Sequence, residues 1–258
     1  MKRVLTAAVL LPVVVGLLFW GPSRSVRLAL TFVALLCLSE FLKLAAQYHA
    51  EPMRLVAYLA GAWVVAAELP VGAPFFLGIT LLLMTLAMRG GRKLGVSLVS
   101  AAATLLGIVY TTVPFRLAAD VHAQPNGPHW LTYALLINWA GDTAAYYVGR
   151  AVGKHKLAPV VSPNKTWEGA VASVAVGAVA GTLYLRHFVP AGPVVWFAAV
   201  LSVGVNVAGQ VGDLAESALK RGAGVKDSGS ILPGHGGILD RLDAVLFSVP
   251  VVYLAVMR

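Results

Sequence analysis

Cysteine and charge are what this chain has least of. Cys37 is its only cysteine, which excludes an intramolecular disulfide and a thiolate zinc site. Lying in an apolar run, it reads as a small buried hydrophobe. Charged residues are 12% of the 258 and hydrophobic ones 59%, and no polar stretch is long enough to fold alone as a soluble domain. A mean hydropathy of +0.80 excludes an ordinary soluble composition. Acids are scarcest, 11 against 20 Lys and Arg, for a net charge of +9. That surplus is no nucleic-acid signature, because no basic run is interleaved with aromatics. No nucleic-acid partner is expected. Internal repeats and low-complexity tracts are also absent.

What the chain does have is apolar runs of membrane length. A spanning helix needs about 20 mainly apolar residues. Runs at 4–20, 27–47, 55–70, 71–88, 94–114, 130–149, 169–186, 193–214 and 238–256 predict an all-α, polytopic integral membrane protein of about nine transmembrane helices, surrounded by lipid bilayer. The third and fourth runs are split only by Glu68, Leu69, Pro70 and Gly72, and also fit one bent hairpin. Met1, Lys2 and Arg3 before the first run are reminiscent of a signal peptide. No small-residue cleavage site precedes Gly21, so a retained helix is favoured.

Basic residues orient the chain. With the N-terminus in the cytoplasm, only Arg24, Arg27, Arg116, Arg186 and Arg258 fall outside. Every other Lys and Arg falls inside except Arg241, which starts the last helix. This asymmetry selects the orientation and puts both charged loops of the C-terminal half on the cytoplasmic side of a bacterial-type inner or plasma membrane.

Polar residues concentrate in 129–258, expected to be the catalytic helices with their two charged loops. Residues 1–128 read as scaffold helices of the same continuous membrane domain. Glu40 is the exception there, expected to pair with Lys43 at i+3 near the membrane surface.

The densest polar window is 217–243, SALKRGAGVKDSGSILPGHGGILDRLD. Ionisable groups between membrane spans are costly and mark functional sites. Lys220, Arg221 and Lys226 supply positive charge for phosphates. Gly222, Gly224, Gly229, Gly234, Gly236 and Gly237 let backbone N–H groups approach an anion. Asp227, Asp240 and Asp243 offer hard oxygen ligands suited to Mg²⁺. Together they describe a site for a metal-bound polyphosphate. His235 is left between contacting phosphate, orienting a carboxylate and fitting the turn. Zinc is not expected, since no second histidine or cysteine is near in sequence. A solvated basic loop would satisfy the charge asymmetry but has no need of HGG followed by DRLD.

Three further segments carry polar residues. Asn138, Asp142 and Tyr146 recur at i, i+4 and i+8, so they share one helix face. They serve either a site or an interhelical network, and the site is preferred because the segment feeds into a charged loop. That loop holds Arg150, Lys154, Lys156 and Lys165, with Ser162 to Thr166 read as a polar turn. Thr166 or Ser162 is expected to cap the next helix and point its N–H groups at an anion. Asn206, Gln210, Asp213 and Ser217 form a stripe on the eighth span, with Glu216 near Asp213. Asp240 and Asp243 are one turn apart, and Arg241 neutralises one of them or touches a phosphate. Asp142, Asp213, Asp240 and Asp243 are the metal-ligand candidates, with Asp213 and Asp240 favoured.

These residues also carry a resemblance. Ser217, Leu219, Lys220, Arg221, Lys226, Asp227, Gly229, Leu232, Pro233, His235, Gly236, Gly237, Ile238, Asp240, Arg241, Leu242 and Asp243 resemble the signature of the phosphatidate cytidylyltransferases, or CDP-diacylglycerol synthases. The run SPNKTWEG is similar to that family's Ser-Pro-Lys-Lys-Thr-x-Glu-Gly, with Asn164 where lysine is frequent; Lys165, Thr166, Glu168 and Gly169 match. Gly212, Asp213, Leu214, Glu216 and Ser217 also match. The resemblance implies a Mg²⁺-dependent membrane enzyme that transfers CMP from CTP to phosphatidic acid and releases pyrophosphate. Asp213, Asp240, Lys226 and Lys165 would be catalytic. Ser162, Lys165, Thr166, Ser217, Lys220, Arg221, Lys226, Asp227, His235, Gly236, Gly237 and Arg241 would bind substrate. The rivals are a CTP-dependent kinase of a polyprenol or other lipid alcohol and an ion or phosphate transporter. Transporters commonly repeat their halves, whereas charge here sits in one half. The oligomeric state is left open, a homodimer among the alternatives.

Overall fold

Each apolar run folds as a helix because backbone N–H and C=O groups in lipid must be satisfied within their own segment. The computed structural model describes residues 12–69, 71–89, 94–189, 192–231 and 236–258. Helix α1 is described over 12–20. It is followed by α2 (Ser23–Gln47), α3 (Arg54–Ala66), α4 (Ala73–Arg89), α5 (Leu94–His122), α6 (Gly127–Val152), α7 (Trp167–Phe188), α8 (Val195–Gly222) and α9 (Leu239–Val256). The chain is an all-α membrane protein with a helix on every expected run. Among the described residues, Ser23–Gln47, Gly95–His122, Trp167–Phe188 and Val195–Gly222 are long and apolar enough to cross a membrane, and Arg54–Ala66 and Ala73–Met88 are shorter apolar helices. The third and fourth runs are two separate helices. Residues 4–11 of the first run lie outside the described residues, as do Lys2, Arg3 and His235.

Contacts divide the chain into two compact units, Met1–Ala119 with Leu219–Arg241, and Asp120–Ala218 with Leu242–Arg258. In the first, α2 packs along α3. Its buried stripe includes Val26, Ala34, Cys37, Leu38 and Phe41, and Cys37 is fully buried, as expected. Both ends of α3 are finished by side chains from neighbouring segments. Ser100 Oγ accepts from the Glu51 N–H at 2.8 Å and Thr104 Oγ1 from the Met53 N–H at 2.9 Å. At the other end Arg116 donates to the Ala67, Val64 and Leu69 carbonyls at 2.7, 3.2 and 3.2 Å. These bonds satisfy orphan groups that a helix end leaves and explain an arginine in an otherwise apolar helix.

In the second unit α6 packs along α7, and small residues permit close approach. A Cβ on Gly141 would strike Asn206 and Ser173, and one on Gly209 would strike Asn138. Polar side chains bridge the helices at these points. Asn138 Nδ2 donates to Ser248 Oγ at 3.0 Å, Tyr133 and Ser202 hydroxyls meet at 2.9 Å, and Gln210 Nε2 donates to the Ala170 carbonyl at 3.2 Å. Asn138 and Asn206 are buried. Asn138 is therefore an interhelical bond, not a site residue, and the i, i+4, i+8 face splits after it.

The sheet among the described residues was not anticipated. Strands β1 (Lys156–Ala158) and β2 (Ser162–Thr166) pair antiparallel, Lys156 opposite Thr166 and Ala158 opposite Ser162. The expected polar turn before α7 is thus the second strand of a hairpin.

Candidate functional site

The hairpin positions Lys165. Strand β2 runs directly into α7, whose N-cap is Thr166; its Oγ1 accepts from the Gly169 N–H at 3.2 Å. Thr166 rather than Ser162 is the cap, which fixes the angle at which the strand leaves the helix. A second tie comes from Glu168 in the first turn of α7. It receives His155 Nδ1 at 2.7 Å and lies within 3.3 Å of the His155 N–H through both oxygens. With both ends held, Lys165 Nζ reaches Asp213 Oδ2 on α8 at 2.5 Å, the two side chains 29% and 33% exposed.

This pair opens onto a cavity of about 290 Å³ lined by Asp142, Tyr146, Asn164, Lys165, Gln210 and Asp213 among others, with Thr166 at its wall. The expected residues Asp142, Lys165, Thr166 and Asp213 therefore share one space. Tyr146 follows Asp142 by one turn of α6. Ser217 Oγ lies 3.4 Å from Asp213 Oδ1, one turn further along α8. Ser162 sits opposite Ala158 in the hairpin. Gln210 and Asn164 join the lining although neither was counted as a site residue; Gln210 was legible as part of the α8 stripe.

Two carboxylates and an ammonium lining one cavity form a set that can hold a cation and an anion together. Among the described residues no three His, Cys, Asp or Glu side chains cluster as a metal site of protein ligands alone would. The pair Asp142 and Asp213 does fit Mg²⁺, which takes one or two carboxylates and fills its remaining positions with water and phosphate oxygens.

A second polar group is built in the first unit, where α8 ends. Gly224 has φ +73°. Its N–H bonds to the Arg221 carbonyl, and the Val225 N–H to the Lys220 carbonyl, each at 3.0 Å. This is a Schellman turn, which needs a left-handed residue and so favours glycine. Lys220 Nζ then meets Asp240 Oδ1 at 2.6 Å, with side chains only 11% and 6% exposed. The other donors to Asp240 are the Ser228 N–H, at 3.0 Å to Oδ2, and the Gly237 N–H at 2.8 Å. Gly236, at φ +82°, passes so close that a Cβ would lie 2.9 Å from Asp240 Oδ2. The loop's two flanks are thus joined on one aspartate.

Glu40 was misjudged from sequence. It does not pair with Lys43, which is exposed, and is itself completely buried. Its carboxylate accepts from Ser228 Oγ at 3.2 Å, the Ile238 N–H at 3.1 Å and the Leu239 N–H at 2.8 Å. Local spacing offered Lys43 as the partner. The actual partners are 188 to 199 residues away.

The remaining expected residues lie outside these two groups. Arg221 Nη1 donates to the Val225 carbonyl at 3.1 Å. Lys226, Asp227 and Arg241 are exposed. Asp243, in the second unit, accepts from the Ala244 N–H at 2.7 Å.

Comparison with known proteins adds family membership. A family model described as the cytidylyltransferase family matches residues 1–257. A phosphatidate cytidylyltransferase of Staphylococcus saprophyticus is 41% identical over 162 residues, 63% of this chain and 61% of that protein. One of Staphylococcus aureus strain COL is 41% identical and one of Staphylococcus haemolyticus 40% identical over the same extents. The aligned stretch thus covers about 61% of the length of these relatives.

Proposed function

The chain belongs to the cytidylyltransferase family, and from that premise we propose that it transfers CMP from CTP to phosphatidic acid, giving CDP-diacylglycerol and pyrophosphate. The observation that carries this reading is the cavity where Lys165, Asp142 and Asp213 meet inside a membrane protein. Ionised groups in that setting are retained for substrates.

In the reaction a phosphate oxygen of phosphatidic acid attacks the α-phosphorus of CTP. The bond from that phosphorus to the β-phosphate bridging oxygen breaks, and pyrophosphate leaves with the electron pair. The attacking oxygen is already anionic at neutral pH, so no strong general base is required. The protein's task is to screen like charges and hold the reactants in line. Lys165 offers an ammonium to a phosphate oxygen, and Asn164 offers amide N–H groups beside it. Asp142 and Asp213 would hold Mg²⁺, which when bound offsets charge on the triphosphate. Lys220 and Asp240, locked together, set the loop that carries Lys226.

We place the site on the cytoplasmic face, supported by the asymmetry of basic residues. Incubation with labelled CTP, phosphatidic acid and Mg²⁺ tests the activity. A CDP-lipid with pyrophosphate supports it. A phosphorylated lipid alcohol with CDP, or no turnover, overturns it.

A further inference from the structure

Glu40 comes from the part of the chain read as scaffold, yet its carboxylate is spent entirely on the signature loop. Ser228 lies on the loop's incoming flank, and Ile238 and Leu239 on its outgoing flank. Two of the donors are peptide N–H groups at the start of α9, which begins at Leu239. A carboxylate there satisfies orphan donors and opposes the positive end of the helix dipole. Glu40 therefore caps α9 from a different helix.

The loop is shaped to receive it. A Cβ on Gly229 would strike Glu40 Oε1, and one on Gly237 would strike Ser228 Oγ and Glu40 Oε2. Both glycines thus let the backbone close around the carboxylate. A second contact from the end of α2 supports the same region: Tyr48 Oη donates to the Leu219 carbonyl on α8 at 2.6 Å. A glycine-rich segment loses much conformational freedom on ordering, so three bonds to one buried group are a substantial constraint.

We propose that Glu40 is a positioning residue for the phosphate-handling loop, tying Ser228 to Ile238 and Leu239 so that Asp240 stays where Lys220 meets it. The link to turnover rests on the activity proposed above; the link to loop order does not. The test therefore reads both. A nitroxide is attached to Ser230→Cys, an exposed loop position, in the full chain carrying Cys37→Ala, reconstituted in lipid nanodiscs. A second label at Val160→Cys, on the exposed hairpin turn, is the control.

Glu40→Gln keeps the shape but turns an acceptor into a donor facing N–H groups. It is expected to raise the mobility of the label at 230, leave that at 160 unchanged, and lower kcat/KM for CTP by about 100-fold, the scale of a small misplacement. Glu40→Asp, which keeps the carboxylate one methylene short, is expected to fall between. Should Glu40→Gln not fold, Gly229→Ala pushes the loop off the same carboxylate with α2 intact, and the same two changes are expected. An unchanged spectrum at 230 overturns the proposal, as does equal loosening at 230 and 160. If the unsubstituted protein makes no CDP-lipid, the activity reading fails while the spectra still decide the role of Glu40.

Discussion

Two Lys–Asp pairs in this protein share their chemistry and nearly their length, 2.5 Å for Lys165 with Asp213 and 2.6 Å for Lys220 with Asp240. Their surroundings differ. The first pair is about a third exposed on each side and faces a cavity. The second is almost fully buried, and its aspartate also accepts from two backbone N–H groups. A pair with open coordination can exchange its partner for a ligand. A buried pair already saturated with donors cannot do so without leaving a charge uncompensated. Side chains of the same type and spacing thus stand in different settings, one open to a cavity and the other joining the flanks of a loop.

The contrast is broken most strongly by removing one member of the buried pair. Lys220→Met leaves Asp240 buried without its cation and is expected to cost about 3–5 kcal/mol of stability, measured as a lower thermal unfolding transition in detergent. A transition unchanged from the parent protein would mean that the pair is not structural. At the open pair the order of effects reverses. Lys165→Met and Asp213→Asn are each expected to lower CMP transfer by about 100-fold, the scale of losing one preorganised electrostatic contact. Their unfolding transitions should move by about 1 kcal/mol or less. If stability falls as far as in Lys220→Met, the two pairs are not different in kind.

A smaller effect is expected at the hairpin junction. Thr166→Ala removes the N-cap of α7 and should cost about 1 kcal/mol, read again by thermal unfolding. If instead it abolishes transfer with stability intact, Thr166 touches substrate as well as capping the helix. The last comparison is one of side rather than size. In a Cys37→Ala background, cysteines at Val160 and Ser230 should both resist an impermeant thiol reagent in intact cells and react after permeabilisation. Labelling of either from outside would reverse the orientation drawn from the basic residues.

The helices were legible because lipid forces every backbone group to pair locally, and about 20 apolar residues suffice to announce a span. Lys165, Asp142 and Asp213 were legible because charge is rare enough in this chain to stand out. The hairpin was not. SPNKT has one β-branched residue, Thr166, and no aromatic to mark a strand, and pairing with Lys156–Ala158 is what makes it one. The α6 face was read too uniformly. Asn138 and Asp142 share a periodicity, but only the neighbouring Ser248 shows that the first is consumed between helices, while the second lines the cavity.

Glu40 marks the boundary between the two kinds of information. Composition, hydropathy and motif spacing determined by themselves that this is a helical membrane protein with its densest polar windows in its C-terminal half, because those properties depend on the residues and their near neighbours. Which acid faces a cavity, which is locked to a lysine and which caps a helix nearly 200 residues away was decided only by the tertiary structure. A carboxylate takes its role from the donors that surround it, and in a folded chain those donors come from segments that local periodicity does not connect.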